Sequence, residues 1–255
     1  MTVQYRTKGF VFKREDRLEA DRVFSVFTYD FGRIEIFAKA IRKMASKLKS
    51  GIEIFSLAEL SFIQGRNRKT LTDALLIQKF RSISESPEKM AISINACNLL
   101  HSFIKGQEPD EKIWNLVLDF FQKLDTHPWM VSHSSTFSHE QIHNVQFAWY
   151  YCFFWNFISA LGYGPEIYKC SHCSQKLNPY HLYFSNEQGG IVCKSCLKLS
   201  TDAKKINSNV VKIMRLMLTR EWDILSKLKI EVSSRNLLQS VSDGYAKYLM
   251  HSYAS

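Results

Sequence analysis

Four cysteines in two matched pairs, Cys170-x-x-Cys173 and Cys193-x-x-Cys196, constrain this chain more than any other feature. A two-residue gap lets both sulfurs of a pair turn toward one point. Nineteen residues separate the pairs, enough for a short hairpin to lay the second pair over the first. Four thiolates meeting in this way suit tetrahedral zinc, and with every position filled by sulfur none stays open for water. The motif argues for one structural zinc ion per chain and against a catalytic metal. Two other readings exist. A redox dithiol would need only one pair, in a βαβ setting that is not evident here. Two disulfides would need an oxidising compartment. His172 and His181 lie near enough in sequence to substitute as ligands, but solvated surface histidines are the simpler reading. Cys97 and Cys152 sit in apolar stretches and read as small buried hydrophobes.

A chain of 255 residues forms one large or two modest domains. Its 13% aromatic content predicts bulky cores. The net charge of +10 makes acidic partners the first suspects. The excess is uneven: residues 1–80 hold 16 Lys/Arg against 9 Asp/Glu, and residues 81–255 hold 18 against 15. Met1 to Arg6 runs straight into strand-like residues, so no export signal and a cytoplasmic location are expected. Between Glu140 and Glu166 there is no charged side chain. Asn144, Gln146 and Asn156 interrupt that run and Gly162-Tyr-Gly-Pro165 ends it, which predicts a buried core helix rather than a membrane span.

Residues 1–80 read as five short strands. Gly9–Lys13, Arg22–Thr28 and Arg33–Lys39 are the first three, with a turn at Tyr29-Asp-Phe-Gly32. Ile52–Ile63 and Thr70–Phe80 are the last two, separated by a turn at Gly65–Lys69. In Ala40–Gly51, Ile41, Met44, Ala45 and Leu48 fall at helical spacing, so a short amphipathic helix is expected. Three strands, a helix and two strands fit a small Greek-key barrel of the OB type. From Pro87 the period is helical, with a Ser- and His-rich loop over His127–Ser138 and a long helix over about Glu140–Leu161. Two more helices are expected near Asn209–Leu228 and Asn236–Tyr248. The fold class is therefore α+β and multidomain. An OB-type barrel (1–80) precedes a helical domain in two parts (81–167 and 201–255), which carries an inserted zinc module (168–200).

Lys39, Arg42, Lys43, Lys47 and Lys49 form the clearest basic run, with no acidic residue between Glu35 and Glu53. Arg66, Arg68 and Lys69 add cations at another inter-strand turn. On a five-strand barrel, two such patches point to DNA or RNA, held in a salt-sensitive way because phosphate neutralisation releases counterions. A solvated helix face is the bland alternative. Phe24, Phe27, Phe31, Phe37, Phe55 and Phe62 lie in these strands. Most must fill the barrel, although some could stack on bases, and the sequence does not say which. No catalytic motif is present: no phosphate-binding Gly-x4-Gly-Lys-Ser/Thr loop, no His-Glu-x-x-His, and no His-x-Glu ahead of the cysteines. Two other classes remain open, a nucleic-acid-modifying enzyme bearing a zinc ribbon and an RNA-binding adaptor.

These parts, in this order, resemble the RecO family of bacterial recombination mediators. The likeness is carried by Gly9-Phe-Val-Phe-Lys-Arg14, Glu19-Ala-Asp-Arg22, Phe31-Gly32, Ala38-Lys39, Arg42-Lys43, Ser46, Thr70-Leu71 and Phe80. The cysteine module adds Phe184-Ser185 and Gly189-Gly190. Where the family often has glycine after the lysine of its basic loop, this chain has Ala40. Some members lack the metal cysteines, which agrees with a structural metal. The resemblance implies a non-enzymatic, nucleoid-associated protein that binds single- and double-stranded DNA and anneals complementary strands. It also implies that, with RecR, the protein helps load RecA onto DNA coated with single-strand-binding protein. The acidic C-terminal tail of that coating protein is an implied partner of the helical domain, with Lys204–Arg220 as the candidate segment.

Overall fold

The computed structural model describes residues 3–44, 46–128 and 138–252; most of the expected Ser- and His-rich loop lies outside them. The chain divides into two compact units, Met1–Ser132 and His133–Ser255.

In the first unit five strands close a barrel in the order β1-β2-β3-β5-β4. They are β1 (Gln4–Arg17), β2 (Asp21–Thr28), β3 (Gly32–Ala38), β4 (Ser56–Gln64) and β5 (Lys69–Lys79). The long β1 pairs antiparallel with both β2 and β4. The seam is a parallel pairing of β3 with β5 at only two positions, Ile36 with Lys69 and Phe37 with Thr70. Val11, Phe24, Val26, Ile34, Ile36, Leu60 and Phe62 fill the interior. Phe10, next to Val11, faces the other way: its ring centroid is 4.3 Å from that of Phe121. Burial on both faces explains why Gly9-Phe-Val-Phe12 is a continuous apolar run rather than an alternating one.

Phe121 belongs to α3 (Glu111–Thr126), which lies on the barrel with α1 (Arg81–Glu85) and α2 (Pro87–Phe103). Phe55 stacks on Phe121 at 6.2 Å, and Phe27 meets Trp114 at 6.1 Å. Each such ring pair contributes about 0.5–1.5 kcal/mol beyond its area burial. Helices 81–126 thus share a core with the barrel.

The expected helix over 40–51 is not formed; the described residues there make a chain of tight turns. Ala40 is left-handed at φ 53°. Bonds three residues apart follow, from Lys43 N–H to the Ala40 carbonyl and from Ser46 N–H to the Lys43 carbonyl, both 3.1 Å. Ile41 and Ile52 plug the barrel, whereas Met44 is fully exposed. The apolar spacing of a helix is met, but only its ends are buried.

In the second unit α4 (His139–Ile158) starts with a capping box of Ser138 and Gln141, and every residue from Tyr151 to Ile158 is buried. The polar interruptions have partners: Asn156 Nδ2 donates to the Met217 carbonyl at 2.8 Å, and Asn144 Oδ1 accepts from Arg235 at 3.0 Å. No helix among the described residues is long and apolar enough to cross a membrane. After α4 come a three-stranded sheet and α5 (Ser208–Leu218), α6 (Trp222–Lys227) and α7 (Val232–Ser252). The single helix expected over 209–228 is broken at Arg220, which is left-handed at φ 59°. The break turns Trp222 back to stack on Trp149 at 4.8 Å.

Candidate nucleic-acid groove and metal centre

On β3, Ile34, Ile36 and Ala38 point into the barrel, so Arg33, Glu35 and Phe37 form a row on its outer side. The seam places β5 beside that row. Phe37 pairs with Thr70, and Arg68, two residues earlier, falls on the same side. Its guanidinium carbon lies 3.9 Å from the centre of the Phe37 ring. The preceding turn is closed by Gly65 N–H donating to the Arg68 carbonyl at 2.9 Å. The β1–β2 turn brings in Arg17 and Leu18, and the segment after α2 brings in Lys105. Together they enclose an open groove of about 790 Å³.

Six cations line this groove, Arg17, Arg33, Arg66, Arg68, Lys69 and Lys105, against the single carboxylate of Glu35. Arg33 has a positioning role: Nη1 donates to the carbonyls of His101 at 2.8 Å and Ile104 at 2.9 Å. It fixes the end of α2 and so sets Lys105 at the groove. Lys69 Nζ donates to Gln107 at 3.1 Å, and Arg17 pairs with Glu15 at 3.0 Å. Arg66 and Lys105 make no ion pair among the described residues. Burial first, then the charges of Arg33 and Lys13, push the His101 pKa below its ordinary value.

The basic loop stands next to this groove rather than in it. Lys39, Arg42, Lys43, Lys47 and Lys49 are all exposed. The loop is tied to the β1–β2 turn: Ala40 N–H donates to Asp21 Oδ1 at 2.7 Å and Arg42 N–H to the Ala20 carbonyl at 3.0 Å. The Arg42 guanidinium also lies 3.6 Å from Asp16. One turn therefore serves both basic surfaces. Of the aromatics singled out in the strands, Phe24, Phe27, Phe55 and Phe62 are buried. Phe31 packs against Tyr5 and Phe62. Phe37 lines the groove. The sequence missed Arg17, Arg33 and Lys105. The outward parity of Lys13, Glu15 and Arg17 at the end of β1 could have found the first; nothing local marks Lys105.

In the second unit, β6 (Leu182–Ser185) and β7 (Gly190–Cys193) form the hairpin between the cysteine pairs, with β8 (Lys204–Ile206) on the other side of β6. Asp202 clamps the hairpin turn, accepting from Ser185 Oγ at 2.7 Å and from the Asn186 N–H at 2.6 Å. Gly189 takes φ +60°, and a Cβ on Gly190 would stand 2.4 Å from the Glu166 carbonyl oxygen. That close approach lets Ile191 N–H donate to the Glu166 carbonyl at 2.8 Å, while Ser171 N–H donates to the Ile191 carbonyl, also at 2.8 Å. The first knuckle is thereby laced to β7. The chain reverses through left-handed Ser174, whose N–H donates to the Cys170 carbonyl at 2.8 Å.

The four sulfurs of Cys170, Cys173, Cys193 and Cys196 all lie within 4.8 Å of one another, with Cys173 and Cys193 3.9 Å apart. Thiolates about 2.3 Å from a tetrahedral ion stand about 3.8 Å apart, so this donor set fits a metal ion. The Cys170 thiol sits at about 6: burial opposes ionisation but is outweighed by hydrogen bonding from the backbone of Cys173, Cys193 and His172. Burial, then the neighbouring thiols, push Cys196 to about 12. His172 and His181 are not among the clustered donors. Cys97 and Cys152 are buried. In Lys204–Arg220, Val210, Val211, Met214 and Met217 are buried in their own unit and Arg215 is bound to the Ile167 carbonyl; the exposed cations of the segment are Lys204, Lys205, Lys212 and Arg220.

Comparison with known families decides the lineage. Residues 1–80 match the model "Recombination protein O N terminal" and residues 84–252 match "Recombination protein O C terminal". The chain belongs to the recombination protein O family. A DNA repair protein RecO of Dehalococcoides mccartyi is 30% identical over 226 residues, covering 89% of this chain and 83% of the relative. RecO of a Roseiflexus species is 23% identical over 96% of this chain and 81% of its own length. RecO of Listeria welshimeri is 23% identical over 94% and 87%. Membership of the RecO family assigns the chain to DNA repair and recombination.

Proposed function

We propose that this protein is a DNA-binding recombination mediator that anneals complementary single strands and, with RecR, helps load RecA onto DNA coated with single-strand-binding protein. The observation that carries the reading is the cationic groove on the outer face of the barrel. Strand-face grooves flanked by the first and last inter-strand loops are where OB folds hold oligonucleotides. Two complementary strands repel through their phosphates. A cationic surface lowers that repulsion and holds one strand, while a second contact, to another strand or to its coating protein, raises the local concentration. No bond is made or broken, so the protein is not an enzyme and needs no nucleotide. Its place of action is the cytoplasm, at the nucleoid. The exposed Lys204, Lys205, Lys212 and Arg220 are the part of the 204–220 segment able to meet an acidic tail.

Cys170, Cys173, Cys193 and Cys196 hold one zinc ion per chain. When bound, the ion supplies a cross-link, not a reaction centre, because all four of its positions are taken.

An annealing assay with unrelated pairs of complementary oligonucleotides tests the reading. Acceleration regardless of sequence, without nucleotide, is the expected result. Indifference to oligonucleotides in dilute buffer, or chemical alteration of them, overturns it.

A further inference from the structure

We infer that Arg68 is a base-stacking platform, through which the groove favours unpaired strands over duplex; this rests on the DNA-binding reading above. Aromatic rings on strand faces commonly stack bases directly. Here the ring available in the groove, Phe37, already carries the Arg68 guanidinium 3.9 Å from its centre. A base arriving at this point meets the guanidinium before the ring. A guanidinium is flat and weakly hydrated, and stacks on π systems as well as pairing with phosphate.

Three observations suit Arg68 to this role rather than to phosphate pairing alone. Its backbone is set by the β3–β5 seam and by the Gly65–Arg68 hydrogen bond, which bring the guanidinium to the Phe37 ring without any ligand. Arg66 and Lys105 line the same groove without an ion-pair partner among the described residues, so phosphate charge can be met elsewhere. Leu18 lines the groove too, 88% exposed and left-handed at φ 51°. An apolar side chain held out in a costly backbone conformation gives a base edge something to pack on. Bases stacked inside a duplex are closed to such contacts, whereas unpaired bases are open to them.

The test compares the full chain with its Arg68→Lys and Phe37→Leu variants. Each is titrated against a single-stranded oligonucleotide, the same strand made abasic at successive positions, and a duplex of equal length, at several salt concentrations. Arg68→Lys keeps the charge and loses the plane. It is expected to weaken single-strand binding about fivefold or more, the size of one stacked base, with the salt slope and duplex affinity unchanged. Phe37→Leu should act in the same direction. The wild type should prefer the intact to the abasic strand, and Arg68→Lys should lose most of that preference. Equal binding of intact and abasic strands by the wild type, or an Arg68→Lys variant that binds both strands as the wild type does, overturns the stacking role and leaves the electrostatic reading standing. A wild type that binds no oligonucleotide at all overturns both.

Discussion

The ammonium of Lys89 lies 2.9 Å from the backbone carbonyl oxygen of Asp125, in a side chain with no solvent exposure. Its other two protons go to Ser82 Oγ at 2.6 Å and the His127 carbonyl at 3.0 Å. A buried lysine thus ties α1 and α2 to the C-terminal end of α3, whose last carbonyls have no partner within the helix. Lys89→Met keeps the bulk but strands these acceptors, and should lower stability by about 2–4 kcal/mol in chemical denaturation. The pH dependence has a definite sign. Burial lowers the Lys89 pKa below 10.5, with the Asp125 charge opposing. Between that depressed value and 10.5 the unfolded chain holds a proton that the folded chain has released. This group's contribution to stability therefore rises with pH through that window, and the gap between wild type and Lys89→Met should widen there.

Ala40 holds a left-handed conformation at φ 53°, with its N–H bound to Asp21. An L side chain in that region costs about 1 kcal/mol or more, which glycine avoids. Glycine would relieve that strain, while alanine still permits the loop. Ala40→Gly should raise stability by about 0.5–1 kcal/mol after its larger unfolded-state entropy is counted. Thermal denaturation of the variant checks this, and a loss of stability would contradict the loop geometry.

On the proposed reading, the groove and the loop should make separable electrostatic contributions to DNA binding. If about six phosphates on a single strand are neutralised, affinity should fall with salt at a log–log slope near −4. Replacing Arg66 and Lys69 with alanine should flatten it by about 0.7 for each lost contact. Replacing Lys39, Arg42, Lys43, Lys47 and Lys49 together should weaken binding and flatten the slope as well, with Arg42 contributing least because Asp16 already faces it. A folded loop variant with unchanged affinity and slope removes the loop from the path of the strand.

The metal should act on one unit. Elemental analysis is expected to find one zinc per chain, lost in Cys170→Ser. Chelation should expose residues 138–252 to limited proteolysis while the barrel, which contributes no sulfur to the cluster, stays resistant. A zinc-free preparation as stable as the native one would refute the structural role.

The strands were legible because period-two alternation survives in β3 and β4 and because short apolar runs bounded by turn residues mark β1 and β2, which are buried on both faces in part. The cysteine centre was legible because ligand spacing is a local property. The helix expected at 40–51 failed because Ile41 and Leu48 satisfy helical spacing equally well in successive turns, and nothing in the string marks Ala40 as left-handed. The break at Arg220 was hidden for the same reason. The groove was only half legible. Arg66, Arg68 and Lys69 adjoin in sequence, but Arg17 and Lys105 meet them only through strand closure and the Arg33 hydrogen bonds. Lys89 reads as a surface residue in any linear view, since its three acceptors lie seven or more positions away.

Only Ile36 with Lys69 and Phe37 with Thr70 join the third strand to the fifth. The cylinder is thus stitched most thinly beside the cationic cleft. Transient parting there would swing the Arg66–Arg68 tip away from the third strand and widen the cleft, and an occupant gripping both lips would draw them shut. Occupancy should slow amide hydrogen exchange at these few positions more than anywhere else in the cylinder.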